Sequence, residues 1–519
     1  MTLPLRIRPA QLLRPRADHR VATLALATLV VLMPGLATGC RASAPEVVNA
    51  GGESRPLHWP VPPPPAISPK EPVLWVALAA HLGPGSGVTT TASREPLVLE
   101  AGTGRLRLRD ASGQLWQASR FVLGWHAVRL REPFGWRRRV AGPYPSYESA
   151  ERVAKRWGVT GLAIAHPRDW EIWAPADRLP PAGLSTRLEQ GVATQQWQPQ
   201  LLLDGRRLNL VGPLEIEAPG GLRWRGGLYA GPFRLQADAL GLWTLVERVP
   251  LERYLEGVLP HEIGAEAPAA ALAAQAVLAR TWALRNQGRF QVDGYHLCAD
   301  TQCQVYGDPR HAGASVREAI RRTSRQVLAW DNRPIQAVYH ASNGGIAAGF
   351  EESWGGDPLP YLVAAPDGPA AFAKRFALPL EPSARLRALL DDGVSAYGSG
   401  HPRFRWQRRL QAQRLVVLER GPSGRVLSLA VERAGLPRLV LQRDAIRRQF
   451  PQLPSTLFAL IPEGGGWWRL EGGGFGHGVG LSQAGALDLA SRGWTFRRIL
   501  SHYYPGTVLQ PVESLAGAP

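Results

Sequence analysis

Between Pro268 and Asn286 the chain changes character, and this change limits the folds open to it. Within the segment Leu272, Ala276, Ala279 and Ala283 recur at helical spacing, and Pro268 stands where a first helical turn accepts proline. On either side the apolar runs are short and cut by glycine turns. One alanine-rich helix set among many short strands describes an α+β protein. At 519 residues the chain can bury several cores. The expected fold is therefore α+β: β-rich and multidomain, with a helical segment set among the strands.

The flanking patterns are specific. Leu74, Val76 and Leu78 alternate, as do Leu106 and Leu108 with Arg105, Arg107 and Arg109. The turn-forming run Asp110-Ala111-Ser112-Gly113 follows, as between antiparallel strands. From Ser146 a helix is expected as far as Trp157, then a strand over Val159–Ala165. Residues 201–249 read as short strands with turns at Gly205, Gly212, Gly220-Gly221 and Gly226-Gly227. A second helix is expected from about Ser315 to Arg325. Residues 404–460 return to strand character, with a hairpin at Ser423-Gly424-Arg425. Ser482 can cap a helix that Gly493 stops, and Thr495 another that reaches Tyr503.

The N-terminus reads as an export signal. Arg6, Arg8, Arg14, Arg16 and Arg20 precede an uncharged run over 21–37, which ends in Ala37-Thr38-Gly39-Cys40. Cys40 after Thr-Gly is similar to a lipoprotein cleavage site, with Ala37 where Leu is usual. Residues 1–40 are thus expected to direct export to the cell envelope, with a membrane tether through a lipidated Cys40 or an N-terminal anchor. Residues 41–72 hold Pro60 and Pro62 to Pro65 and read as an extended spacer. The net charge of +18 comes almost wholly from arginine. It suits an anionic lipid or an acidic wall polymer. The basic residues are scattered, without zinc-finger spacing or a recognition-helix pattern, so nucleic-acid binding is not expected.

Four segments carry candidate chemistry. In Leu251–Glu262, Glu262 follows an apolar run and precedes the alanine-rich helix. Burial there would raise its pKa towards general-acid use, while a helix N-terminus would lower it. His261-Glu262 does not open a zinc-protease motif, because Ala265 stands where the second His is needed. In His296–Tyr306, Cys298 and Cys303 leave two readings open: zinc binding with His296 and the more distant His311, or a disulfide, which export permits. The third segment is Tyr339-His340-Ala341-Ser342-Asn343-Gly344-Gly345, followed by Glu351-Glu352-Ser353-Trp354. The fourth, Gly472–Gln483, includes His477. Its glycines allow close backbone approach to a ligand. It is neither a phosphate-binding loop nor a nucleophile elbow, since Ala484 follows Gln483.

In order, these segments resemble the SpoIID/LytB family of stage II sporulation protein D and amidase enhancers, over about residues 208–510. The resemblance rests on Leu251-Glu252-x-Tyr254-Leu255, Gly257-Val258, Glu262, Ala271-x-x-Ala274-Gln275-Ala276-x-x-Ala279-Arg280-Thr281, Cys298-x4-Cys303-Gln304-Val305-Tyr306, Asn343-Gly344-Gly345, Gly474-x-Gly476-His477-Gly478-Val479-Gly480-x-Ser482-Gln483 and His502-Tyr503-Tyr504-Pro505-Gly506. It implies a peptidoglycan lytic transglycosylase with Glu262 as acid and base, forming 1,6-anhydro-muramyl ends. The alternative it implies is a non-catalytic glycan-binding enhancer of an amidase. Arg280, Tyr339, His340, Ser342, Asn343, His477 and Gln483 would bind substrate. No cofactor is required. Some members carry His just before the second Cys and bind zinc there; Gln302 holds that place here. A hydrolase would need a second carboxylate, from Asp300, Glu351 or Glu352. Residues 73–207 form an N-terminal β-rich region, in which 141–175 resemble a glycan-binding sporulation-related repeat, and 511–519 a tail.

Overall fold

The computed structural model describes residues 55–84, 95–203, 205–379, 383–392, 396–398, 403–450 and 452–515. The signal over 1–40, with Cys40, and the first part of the spacer lie outside the described residues. Strand outweighs helix, 37% to 23%, which makes the molecule a β-rich α+β protein.

Two sheets share the main core. One runs in the order Leu297–Cys298, Val73–Leu82, Trp243–Pro250, Phe233–Ala237, Leu214–Glu217, Leu106–Arg109, Leu115–Ala118. All its pairings are antiparallel except Val73–Leu82 with Leu297–Cys298. The second is built on the long strand Arg120–Tyr144, which pairs with Leu97–Ala101, Trp170–Pro175 and Arg187–Leu203. The Leu-Arg alternation of Leu106–Arg109 is a strict buried–exposed alternation, as period-2 geometry requires. Leu74, Leu108, Ile216 and Phe233 of one sheet and Leu99, Phe121, Leu123 and Leu201 of the other lie in a single apolar cluster. Glu215 pairs with Arg109, so strands from both sides of residue 207 belong to one sheet.

The described part of the proline-rich stretch is laid against this body. Proline carbonyls have no local ladder to join, and here distant donors take them. Arg325 donates to Pro69 O and Lys70 O, each at 2.8 Å. Trp59 N–H donates to Ala239 O at 2.9 Å, and Ile67 is buried.

Helix α1 (Tyr147–Trp157) starts at Ser146, whose hydroxyl accepts from Ser149 N–H, and stops at Gly158 in the left-handed conformation. Helix α2 (Leu251–Leu259) runs into a π-helical turn over Pro260–Gly264. Pro260 has no N–H for the regular ladder, so the turn widens there. Helix α3 (Ala269–Arg285) was expected to bury one face, but every residue from Ala271 to Leu284 is buried. A helix buried all round belongs in a core centre, and its alanines let neighbours come close. Helix α4 spans Ala314–Arg322.

The C-terminal half adds a separate small core. Strands Phe404–Arg409, Phe458–Gly464 and Trp467–Gly472 form one sheet, and Arg414–Arg420, Val426–Glu432 and Leu439–Gln442 another. Trp406, Val426, Leu429, Phe458 and Leu470 pack between them. The hairpin turn falls at Gly424, with φ at 82°. Ser482 and Thr495 cap helices Gln483–Ser491 and Phe496–Tyr503 by accepting from Gly485 and Arg498 N–H. No helix among the described residues is long and apolar enough to cross a membrane.

Candidate active site

Glu262 sits in the widened turn after α2, on the floor of an open groove of about 680 Å³. Val305 N–H donates to its Oε1 at 2.9 Å. The Tyr339 phenol, in the same groove lining, also favours the ionised form. Burial outweighs both influences and raises the carboxyl pKa from 4.5 to about 7. The group can therefore exchange a proton near neutrality.

The loop that brings Val305 to Glu262 is held from several sides. Cys298 and Cys303 form a disulfide with Cα atoms 5.7 Å apart. Gly257 on α2 lets the loop approach: a Cβ there would lie 2.4 Å from the Tyr306 ring, and Gly307 N–H donates to Gly257 O at 3.0 Å. Within the loop, Gln304 is buried between two phenols. Tyr254 Oη donates to Gln304 Oε1 at 3.2 Å, and Gln304 Nε2 donates to Tyr339 Oη at 2.9 Å.

A zinc ion does not fit this loop. The two cysteines are joined to each other. His296 uses both ring nitrogens, Nδ1 accepting from Trp75 N–H and Nε2 bonded to Pro65 O. His311 packs on His261 instead. Among the described residues no three His, Cys, Asp or Glu side chains gather as a metal site.

Of the residues expected to bind substrate, Tyr339 and His477 line the groove and the others do not. Arg280 is fully buried, and its guanidinium grips Glu252 at 2.8 and 2.6 Å and Gln326 O at 3.0 Å. It braces α3 against α2. Asn343 is buried, donating to Asp367 Oδ2 at 2.6 Å and accepting from Gly345 N–H. Ser342 is buried and bonds Phe475 through its backbone. His340 is buried beneath His477, with Nδ1 on Val479 O. Gln483 opens the helix after Ser482, outside the groove lining. These side chains make the scaffold because the glycine-rich segment threads directly against theirs: Tyr339 and His340 pair in parallel with Leu481 and Ser482.

His477 accepts from Val479 N–H on Nδ1 and so donates from Nε2 to Tyr339 O at 3.0 Å. Burial and the nearby arginines lower its pKa to about 3, so it is a neutral prop for Tyr339. The expected second carboxylates are also placed elsewhere. Glu352 is buried and accepts from Ser423 and Gly349. Asp300 and Glu351 are absent from the groove lining.

The groove has walls that sequence reasoning missed. One comes from α1 and the segment after it, with Ser146, Tyr147, Glu148 and Asp169; the other from the helix Asp444–Gln449. Ser146 and Ser149 hydroxyls donate to Asp444 Oδ2 at 2.6 and 3.0 Å, joining the two walls. Glu148 is paired with Arg289 at 2.5 Å and Asp169 with Arg448. Glu262 is thus the carboxyl in the groove with neither an arginine nor a pair of hydroxyls committed to it. Gln304 and Val305 stood within the Cys-Gln-Val-Tyr motif, and their place just after the second cysteine was the signal available for them.

Residues 240–330, which include α2, Glu262, α3 and both cysteines, match the family model described as Stage II sporulation protein. Residues 411–480 match a domain of unknown function. Stage II sporulation protein D of Bacillus subtilis (strain 168) is 28% identical over 296 residues, covering 52% of this chain and 77% of that protein. An uncharacterized protein of Brachyspira hyodysenteriae is 28% identical over 55% of this chain and 72% of its own length. The amidase enhancer of Bacillus subtilis is 26% identical over 49% of this chain and 40% of its own length. The matched segment, these relatives and the order of the motifs support an assignment of the chain to the SpoIID/LytB family.

Proposed function

We propose that this protein is a peptidoglycan lytic transglycosylase that cleaves glycan strands with Glu262 as both acid and base. The observation that carries the reading is a single half-buried carboxyl on a groove floor, with its pKa raised to about 7 and only a backbone N–H and a phenol upon it. Protonated Glu262 gives its proton to the glycosidic oxygen as the bond to the muramyl anomeric carbon breaks. The oxocarbenium-like centre is taken by the same sugar's 6-hydroxyl, whose proton passes to the Glu262 carboxylate. A 1,6-anhydro end forms and Glu262 is restored. No water and no second carboxylate is required, in contrast to paired-carboxylate hydrolysis. The prior engagement of Glu148, Asp169 and Asp444 supports this one-carboxyl scheme.

No cofactor is needed for these steps. The proposal includes export to the cell envelope, with a tether through a lipidated Cys40 or an N-terminal anchor. The similarity to an amidase enhancer supports a second reading, in which the groove holds glycan without cutting it and recruits a cell-wall amidase. One experiment separates the two. Peptide-free glycan strands are incubated with the protein and the products weighed by mass spectrometry. Anhydro-muramyl products that vanish in Glu262→Gln support the enzyme. Reducing ends would mean hydrolysis, and intact strands that still bind would leave the recruiting role.

A further inference from the structure

We infer that Gln304 and Tyr254 are positioning residues, which fix the direction of the Tyr339 hydroxyl proton so that it points at Glu262. Tyr254 is fully buried among Leu255, Val258 and its core neighbours, and its hydroxyl is bonded to the Gln304 amide. With the amide oxygen towards Tyr254 the phenol can donate. Were the amide reversed, its NH2 would face the phenol oxygen and leave the O–H with no acceptor in an apolar core. Such an orphan costs about 1–3 kcal/mol. Tyr254 therefore sets the amide, and Gln304 Nε2 donates to Tyr339 Oη at 2.9 Å. An oxygen that already receives a proton from Gln304 sends its own elsewhere; Glu262 shares the groove lining with Tyr339, and Tyr339 favours its ionised form.

The relay favours the ionised carboxyl and opposes its burial. It makes Glu262 ready to accept a proton after giving one. Charged groups do not share this task. Glu148 on Arg289, Asp169 on Arg448, and Asp444 with Arg447 face the groove from its walls, and His477 and His166 flank it with lowered pKa values. His261, next in the chain, is likewise lowered, by burial and His311. None of these contributes to the shift of Glu262, which is set by burial against the Val305 hydrogen bond and the Tyr339 phenol.

The test is a direct titration of Glu262 in the full chain. Carboxyl carbon-13 labelling of glutamate is read by NMR against pH, with Glu262 assigned by its loss in Glu262→Gln. Tyr254→Phe frees the amide to turn and take the Tyr339 proton, so the carboxyl should bind its proton roughly threefold or more tightly. Tyr339→Phe should do at least as much, and adding Tyr254→Phe to it should change nothing further. Gln304→Glu replaces the donor towards Tyr339 with an acceptor and should also raise the midpoint. A Tyr254 that served packing alone would lower the melting temperature equally in both backgrounds and leave the midpoint in place. An unmoved midpoint in folded Tyr254→Phe and Gln304→Glu overturns the inference. The kinetic consequence, an alkaline limb of glycan cleavage moved to higher pH, rests on the proposed activity. The titration does not, so an inactive protein would count against that activity and leave the relay to be judged by NMR.

Discussion

Trp170 donates its indole N–H to Gln302 Oε1 at 2.9 Å. A strand outside the matched 240–330 segment thus reaches into the loop between the two cysteines. Arg289 approaches the same loop from the end of α3, donating to Gln302 O at 3.2 Å and to Glu148 Oε1 at 2.5 Å. Its guanidinium lies 4.4 Å from the Tyr147 ring centre and 5.0 Å from that of Trp282. Where zinc-binding members of the family carry His, this chain carries a glutamine fastened to its own N-terminal region. The loop that places Val305 and Gln304 is therefore held by a disulfide and by packing against α1 and its neighbours.

Arg289 is the centre of that clasp, and removing it leaves Glu148 as an uncompensated, nearly buried carboxylate. Arg289→Met is expected to cost about 3–5 kcal/mol, the usual penalty for breaking a buried pair from one side. Adding Glu148→Gln should restore part of it. Urea denaturation of the single and double variants checks this. A double variant as unstable as the sum of the singles would contradict a coupled pair.

Glu262 makes stability depend on pH in a direction that identifies it. Its pKa rises from 4.5 to about 7 on folding, so the folded chain holds this proton more tightly than the unfolded chain. The stabilisation is complete below about pH 4.5 and is lost as the pH rises through 7. Glu262→Gln escapes the loss. Relative to the natural chain it should be neutral near pH 4.5 and more stable by about 2–3 kcal/mol above pH 8. Melting temperatures of both proteins at the two pH values measure the difference. A variant less stable at high pH would refute the buried, proton-retaining state.

The disulfide closes a short loop, and Gln304 follows Cys303 directly. Reduction should cost roughly 2 kcal/mol of stability by loop entropy alone. It should also loosen the Val305 N–H from Glu262, raising the carboxyl's proton affinity. Thiol titration of the denatured chain should find two more thiols after reductant than before. Equal counts would mean that Cys298 and Cys303 are free.

Much of this was legible in the sequence, and the limits have physical causes. Helix starts at Ser482 and Thr495 and the turn at Gly424 depend on local chemistry, which a sequence displays. The position of Glu262 was legible through motif order. Its protonation was not, because burial and a helix terminus pull in opposite directions and only packing decides. Arg280, Asn343 and Ser342 show the converse error. Each sits in a motif beside the site, yet a buried guanidinium on Glu252 and a buried amide on Asp367 are scaffold, and sequence does not tell a polar residue facing a groove from one facing inward. The walls at Ser146 and Asp444 were hidden because their contact joins residues almost 300 positions apart.

The glycine-rich segment offers the sharpest test of scaffold against ligand site. Glycines there were expected to let a backbone approach a ligand. Instead they let the backbone approach its own protein. Gly478 has φ at 83°, and a Cβ on it would lie 2.3 Å from Arg425 Nη2. That arginine is fully buried and donates to Asn343 O at 2.7 Å and Ile346 O at 2.9 Å. It has no slack: burial lowers its pKa to about 10, and moving it would strip two carbonyls of their donor. Gly478→Ala must therefore bear both left-handed backbone strain, about 1 kcal/mol or more, and the displacement of Arg425. We expect a loss of about 2–4 kcal/mol in stability. Gly493→Ala is the control, since its φ is 81° but no atom lies within 4 Å of the added carbon. It should cost only the backbone strain. Equal melting temperatures for the two variants would show that Arg425 yields freely, and the segment would then be better read as a ligand-facing loop.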